Sequence, residues 1–123
     1  MPVSASYRTY VVEQLAGLGT VSARAMFGGL GLYHEGIFFG LVDDDRLYLK
    51  VDAATRGDYE AAGMGPFRPS GDEGPSMGYY EVPGEVLDDA GTLTRWAARS
   101  VDVARRAAAG RAGRSGKGRG KSK

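Results

Sequence analysis

Apolar residues recur at helical spacing near both ends of the main body of the chain. The first stripe predicts a helix over residues 4–18 and consists of Tyr7, Val11, Leu15 and Leu18. The second predicts a final helix and consists of Leu93, Trp96, Ala97, Ser100, Val101 and Ala104. Asp88 and Asp89 precede the second stripe as candidate helix caps, and Trp96 is expected to anchor it in the core.

Between these helices the pattern changes to the alternation and aliphatic runs that are typical of strands. Residues 21–33 predict one bent strand, in which Gly28-Gly29 indicates a bulge or a close backbone approach. Residues 37–42 and 47–51 predict a hairpin across the turn Asp43–Asp45. These segments together predict an antiparallel meander of three strands.

The second half of the body predicts a helix, two short strands and the final helix. Asp52 is expected to cap a helix over residues 53–62, and Gly63 to end it. A short strand at Phe67 and another over residues 76–82 would follow. The order α-β-β-β-α-β-β-α predicts a two-layer α+β fold, with an antiparallel sheet of four to five strands and helices packed mainly on one face.

Length and composition indicate one folded domain without disulfides. The 123 residues suit a single hydrophobic core, and the chain has no cysteine. No apolar run approaches the roughly 20 residues that a membrane-spanning helix needs. The N-terminus lacks a basic region followed by an apolar stretch, so we expect no secretory signal and a cytoplasmic location.

Charge divides the chain into an acidic body and a basic tail. Residues 1–110 contain ten basic and 15 acidic residues, a net charge of −5, whereas the last 13 residues add +6. We predict a domain over residues 1–109 and a disordered tail over 110–123, which lacks the apolar surface that folding requires. The tail cations are Arg111, Arg114, Lys117, Arg119, Lys121 and Lys123. They are expected either to bind nucleic acid weakly and without sequence preference, or to act only as a solubilising terminus.

Several separated motifs carry a family resemblance. They are Arg24-Ala-Met-Phe-Gly-Gly29, Gly31-Leu-Tyr33, Leu47-Tyr-Leu-Lys50, Asp52-x-x-Thr55, Pro66-Phe67 and Tyr80-Glu-Val-Pro83. In this order they resemble the N-terminal domain of the TfoX/Sxy family, in a stand-alone form, over about residues 5–108. The resemblance implies the α+β fold, an association with bacterial competence regulation and no assigned enzymatic activity.

The family motifs also supply the candidate site residues, with a structural or a binding role. These are Arg24, Met26, Phe27, Gly28, Gly29, Gly31, Tyr33, Leu47, Tyr48 and Lys50. Arg24 and the glycine pair could form an anion or peptide site, but glycine within strands more often serves backbone geometry. A glycine cluster that binds phosphate joins a strand to the start of a helix, whereas these glycines are followed by more strand. They match neither the Walker pattern nor Gly-x-Gly-x-x-Gly.

No residue pattern indicates catalysis, a metal or a cofactor. A hydrolytic triad would need His34 beside a nucleophile such as Ser76, yet His34 falls at a predicted exposed turn. Asp43–Asp45 lacks the ligand spacing of a calcium loop and is expected to be a solvated turn. We therefore nominate no catalytic residue, no metal ligand and no cofactor.

Two functional hypotheses remain open from the sequence. One is a non-enzymatic regulatory or adaptor domain that binds an unidentified protein partner, assisted by the tail. Adjacent Tyr79 and Tyr80 would place one ring on each sheet face, so an exposed tyrosine beside a sheet edge could serve a homodimer or a partner peptide. The alternative is an enzyme or small-ligand-binding protein that uses a pocket near Arg24 and the sheet.

Overall fold

The computed structural model describes residues 3–26, 28–68 and 78–120, with side chains described as far as Gly110. The helices are α1 (Ala5–Gln14), α2 (Arg56–Ala61), α3 (Gly84–Leu87) and α4 (Ala90–Gly120), and a 3₁₀ turn at Ala16–Leu18 follows α1. The strands are β1 (Ser22–Met26), β2 (Gly29–His34), β3 (Ile37–Asp43), β4 (Arg46–Lys50) and β5 (Tyr79–Glu81).

The strands form one antiparallel sheet in the order β1-β2-β3-β4-β5. The predicted α+β class is confirmed, but the single bent strand over residues 21–33 is wrong. Gly28 has a φ of +83°, and Met26 pairs with Gly29, so the chain reverses there into two strands. The bulge predicted at the glycine pair lies instead between Leu32 and Tyr33. The meander before α2 therefore contains four strands.

Gly29 makes the close backbone approach that the sequence predicts. A Cβ atom on Gly29 would lie 2.2 Å from the carbonyl oxygen of Val42 on β3. Such a distance is far below van der Waals contact, so only glycine fits between the β1–β2 turn and β3. The glycine pair thus serves two geometric needs, a positive φ at Gly28 and a missing side chain at Gly29.

The segment between α2 and β5 contains less strand than predicted. Around Phe67 the structure has an isolated bridge between Pro66 and Tyr80, and residues 69–77 lie outside the described part. The helix α2 also begins later than predicted. Asp52 instead accepts hydrogen bonds from the amides of Ala54 and Thr55, at 3.0 Å each, in the turn before it. Gly63 ends α2 with a φ of +81°, as expected.

The main core lies between the sheet and the helices. Its α4 contribution is the predicted stripe, with Leu93, Ala97, Ser100, Val101 and Ala104 buried. Asp89 caps α4 by accepting a hydrogen bond from the Thr92 amide at 3.3 Å. Trp96 lies half-buried at the margin of this core, with its ring centroid 4.7 Å from that of Tyr59 on α2. It is thus a peripheral contact rather than the central anchor.

The opposite face of the sheet carries a smaller apolar cluster. It consists of Leu41, Tyr48, Phe67 and Tyr79, with Phe38 packed against it. Successive strand residues point to opposite faces, so these side chains alternate with core residues such as Val42, Leu47 and Leu49. The helices therefore cover one face, and a set of aromatic rings lies on the other.

The turn Asp43–Asp45 holds the start of α1. Asp44 and Asp45 both have a φ of +54°, which forms the tight turn between β3 and β4. The Asp45 carboxylate accepts hydrogen bonds from the Ser4 amide at 2.8 Å and from the Ser4 hydroxyl at 3.0 Å. Ser4 in turn caps α1 by accepting from the Tyr7 amide at 3.2 Å. The predicted turn thus also fixes the start of α1 through Ser4, a contact that the sequence did not predict.

The backbone of α4 remains helical to Gly120, which differs from the disorder predicted after Gly110. Arg111, Arg114, Lys117 and Arg119 lie on this helical backbone, whereas Lys121 and Lys123 lie outside the described residues. Five of the eleven residues from 110 to 120 are glycine, a weak helix former, so local propensity does not account for this extension. The division into a domain over 1–109 and a tail over 110–123 stays a prediction. No helix in the described residues combines the length and apolarity needed to cross a membrane.

Two glycine substitutions test the close approach at the β1–β2 turn. We expect Gly29→Ala to lower the free energy of unfolding by more than about 2 kcal/mol, because its methyl group would overlap the Val42 carbonyl. Gly57→Ala, in α2 with no atom near the added methyl, should raise it by about 0.5–1 kcal/mol. Urea unfolding of both variants measures the difference, and equal effects would contradict this account.

Candidate functional site

The family-motif residues lie on two parts of the sheet. Arg24, Met26, Gly28, Gly29, Gly31 and Tyr33 lie on the β1–β2 hairpin, whereas Leu47, Tyr48 and Lys50 lie on β4. Phe27 is outside the described residues. Leu47 belongs to the helix-side core, and Tyr48 to the opposite cluster. A binding role for these residues stays a prediction, but their positions show which of them come together.

A row of aromatic rings links Arg24 to Lys50 across the sheet face opposite the helices. The Arg24 guanidinium lies 4.8 Å from the ring centroid of Tyr33. The Tyr33 ring is 5.2 Å from Phe38, and Phe38 is 5.5 Å from Tyr79. The Lys50 ammonium lies 5.0 Å from the Tyr79 centroid and completes the row. Tyr33, Arg24 and Lys50, which are far apart in sequence, thus belong to one surface.

Gly31 makes room for this arrangement. It pairs with Arg24 across the hairpin, and a Cβ there would lie 3.0 Å from the Met26 sulfur and 3.2 Å from the Phe38 ring. The side chains of its neighbours therefore close over the glycine. Phe38 was not among the candidate residues. The adjacent Phe38-Phe39 pair was the available signal, because neighbouring strand residues place one ring on each face.

Arg24 is exposed on β1, which is an edge strand of the sheet. Within the described residues its guanidinium has no carboxylate partner, and the Tyr33 ring is its observed contact. Stacking on an aromatic ring holds a guanidinium in place while leaving its N–H groups available. The Arg24 guanidinium is therefore available to an anion or a peptide, as the hypothesis requires. The glycine pair, in contrast, is accounted for by the geometry of the β1–β2 turn.

His34 is not the exposed turn residue that the sequence predicts. Its side chain is 13% exposed, and its Nδ1 atom lies 2.9 Å from the carbonyl oxygen of Thr20. Its Nε2 atom is 3.8 Å from Glu35, whose carboxylate also lies 3.6 Å from Arg105 on α4. His34 therefore packs the β2–β3 turn against the loop before β1. Ser76, the nucleophile considered for a triad, lies outside the described residues.

Neither member of the Tyr79-Tyr80 pair is exposed. Tyr79 is buried, and Tyr80 is half-buried with its hydroxyl donating to Glu60 at 2.9 Å. The chain segment 65–67 also covers the outer side of β5. The Phe67 amide donates to the Tyr79 carbonyl at 2.7 Å, and the Glu81 amide donates to the Gly65 carbonyl at 3.0 Å. The predicted exposed tyrosine beside a free edge is therefore wrong for β5.

A groove of about 290 Å³ lies beside the other edge, between α1 and β1. Val12, Val21 and Ala23 supply its apolar part, and Arg8, Thr9 and Glu13 its polar part. A second groove of about 340 Å³, near β4 and β5, is lined by charged side chains that include Arg46 and Glu81, 3.9 Å apart. The described residues contain no cluster of three or more histidine, aspartate or glutamate side chains suited to a metal ion.

Burial affects the ionisation of several tyrosines around the sheet. Partial burial, with the carboxylates of Asp45 and Glu81 adding to it, raises the pKa of Tyr7 to about 12. Burial likewise raises the pKa of Tyr48 and of Tyr59. A phenol with an ordinary pKa of about 10 is already neutral at pH 7, so these shifts affect the protein only in alkali.

The comparisons with known proteins decide the family. The model of the TfoX N-terminal domain matches residues 13–104, which is most of the chain. The chain belongs to the TfoX N-terminal domain family. The matched region begins in α1 and ends in α4, so it includes the whole sheet and the row of rings. It stops before Gly110, and the basic segment therefore lies outside the family pattern.

A curated relative supports the same family. The DNA transformation protein TfoX1 of Aliivibrio fischeri (strain ATCC 700601 / ES114) is 39% identical over 51 residues. This alignment covers 42% of the present chain and 24% of the relative. The match thus spans about a quarter of that protein's length.

The raised tyrosine pKa values predict a loss of stability in alkali. An unfolded tyrosine loses its proton near pH 10, whereas Tyr7 in the fold keeps it to about pH 12. The contribution of Tyr7 to the free energy of unfolding is therefore fully present below about pH 10, and it is lost as the pH rises towards 12. Urea unfolding at several pH values should show a smaller fall for Tyr7→Phe than for the parent protein. Equal falls in the two proteins would contradict the assignment.

Removing the Arg24 side chain should leave the fold intact. Because Arg24 is exposed and contacts one ring, we expect Arg24→Ala to lower the free energy of unfolding by less than about 1 kcal/mol. Urea unfolding measures this change. A loss of several kcal/mol would mean that Arg24 is chiefly structural, and it would remove the reason to test Arg24 for binding.

Proposed function

We propose that this chain is a non-enzymatic regulatory domain of the TfoX type, which acts through contact with a protein partner in the control of DNA uptake. The observation that carries the proposal is the family match over residues 13–104, together with the similarity to a protein named for DNA transformation. A cytoplasmic location is part of the proposal.

The arrangement of the described surface supports a binding role rather than catalysis. Arg24, the candidate ligand-binding cation, lies exposed at a sheet edge against Tyr33. The groove beside that edge is open and partly apolar, and the one between β4 and β5 has its Arg46 and Glu81 close together. His34, the single histidine of the sequence, contacts a backbone carbonyl.

The basic segment has a secondary role in this proposal. Its cations would attract nucleic acid through phosphate contacts that do not depend on sequence, while the acidic body opposes the attraction. The segment would then raise the local concentration of the domain near DNA or RNA without selecting a site. The folded domain would supply the specific contact with the partner.

Gene deletion in the native host tests the regulatory role. We expect deletion to lower the frequency of transformation by added DNA and to change the transcript levels of DNA-uptake genes. Expression of the full chain should restore both, because a regulatory domain acts through its own contacts. Unchanged transformation and unchanged transcripts after deletion would contradict the proposed function.

Neutralising the tail tests its contribution separately. Replacement of the six tail cations by glutamine should abolish the mobility shift of a DNA duplex at low salt, because the remaining body carries a net negative charge. The shift of the parent protein should also weaken as salt increases. The same replacement made in six body arginines would not test the idea, since several of them form ion pairs in the fold. Equal shifts for the parent and the neutralised protein would contradict a role of the tail.

A further inference from the structure

The two edges of the sheet differ in whether another part of the chain covers them. Segment 65–67 hydrogen-bonds to β5, whereas β1 pairs with β2 on one side and has no strand on its other side among the described residues. We propose that β1 binds an extended segment of a protein partner, with alternating apolar and acidic residues, as an additional strand of the sheet. This inference rests on the proposed function and identifies the surface and chemistry of the partner contact.

The backbone of β1 is accessible to such a strand. An antiparallel ladder uses the N–H and C=O groups of every second residue, so the others in Ser22–Met26 point away from β2. Edge strands are commonly protected by proline, by charged side chains, lysine above all, or by a bulge. The one charged side chain of β1, Arg24, lies against the Tyr33 ring. β1 contains no proline and no lysine, its hydrogen-bonded register with β2 is regular, and Ser22, Ala23 and Ala25 are small. A partner backbone could therefore approach to hydrogen-bonding distance.

The groove between α1 and β1 indicates what one face of the added strand would carry. Side chains of a strand alternate between the two sheet faces, so every second residue would face α1. On that side, Val12, Val21 and Ala23 form an apolar surface within the groove of about 290 Å³. An aliphatic side chain of the partner fits this environment. Arg8 and Glu13 at the polar part of the groove would lie near its margins.

Arg24 indicates what the opposite face of the added strand would carry. Its guanidinium projects on the face away from α1, where Tyr33 holds it and where it has no carboxylate partner within the described residues. Residues directly opposite one another on adjacent strands interact, and opposite charges stabilise the pair. A glutamate or aspartate beside Arg24 would complete the pair. The partner strand is thus apolar towards α1 and acidic towards the row of rings.

A second copy of this chain fits the edge less well. Antiparallel pairing of two β1 strands about a central Arg24 would place the two guanidinium groups opposite each other. Like charges directly opposite are destabilising. Arg24 is also the only charged residue within Ser22–Met26, so such a dimer would find no compensating acid on the strand itself.

A designed peptide tests the inference on the whole 123-residue chain. The probe is a capped eight-residue peptide in which valine and glutamate alternate, titrated into ¹⁵N-labelled protein and followed by NMR. We expect the largest amide shifts within residues 22–26. Methylation of every peptide nitrogen should abolish them, because it removes the donors that a strand needs and leaves the charges in place. A peptide with lysine in place of glutamate should bind the parent protein less tightly.

Charge reversal in the protein provides the matched test. Arg24→Glu should weaken binding of the glutamate peptide at least about tenfold and improve binding of the lysine peptide. Arg95→Glu, at an exposed position of α4, should bind like the parent. The proposal is overturned by shifts centred outside β1, by insensitivity to backbone methylation or to Arg24→Glu, or by no binding at about 1 mM peptide. Concentration-dependent shifts in β1 without peptide would favour a second copy and also overturn it.

The transformation assay distinguishes this inference from the proposed function. If gene deletion lowers transformation but the Arg24→Glu protein restores it fully, the regulatory function stands and binding through β1 is rejected. If deletion has no effect, the regulatory function is rejected, and the peptide titration still decides whether β1 accepts a strand.

Discussion

The close approach of α4 to the sheet is the contact on which the remaining structure depends. Ala97 and Ala104 present little bulk, so the helix backbone can pack near β3 and β4. Ser100, almost fully buried, donates a hydrogen bond from its hydroxyl to the carbonyl of Lys50 at 2.7 Å. This bond satisfies a polar atom inside an apolar layer and fixes the position of α4 along β4. The core residues of α1 and α3 pack against this interface between α4 and the sheet.

Because the helices cover one face of the sheet, the opposite face and the β1 edge are left for contacts with other molecules. The carbonyl of Lys50 contacts α4, whereas its ammonium lies over Tyr79 on the opposite face. From there the row of rings continues to Tyr33 and Arg24 at β1. The same sheet thus connects a rigid core contact to an exposed cation at its edge. A guanidinium supported by packed rings loses less freedom on binding than one on a mobile side chain.

The sequence predicted those features that depend on local chemistry. The stripe of α4 and the end of α2 at Gly63 follow from periodicity and from the need for a positive φ, and both were predicted correctly. The features that were missed depend on contacts between distant residues. His34 is covered by the loop before β1, and Asp45 binds the start of α1. At Gly29 the close approach was predicted, but its partner, the Val42 carbonyl on β3, was not. The resemblance likewise identified Arg24 as a candidate without revealing that it lies at a sheet edge.

The chain order of the elements has a consequence for synthesis on the ribosome. The four strands of the meander are joined by short turns, so they can pair as soon as they emerge. Their helix-facing side is completed only when Leu93 to Ala104 have left the exit tunnel, because α4 supplies the covering stripe. Until then a nascent sheet presents an apolar face and an open strand edge together, a combination that favours aggregation. The segment from Val51 to Thr92, which separates β4 from the covering stripe of α4, sets how long that state lasts.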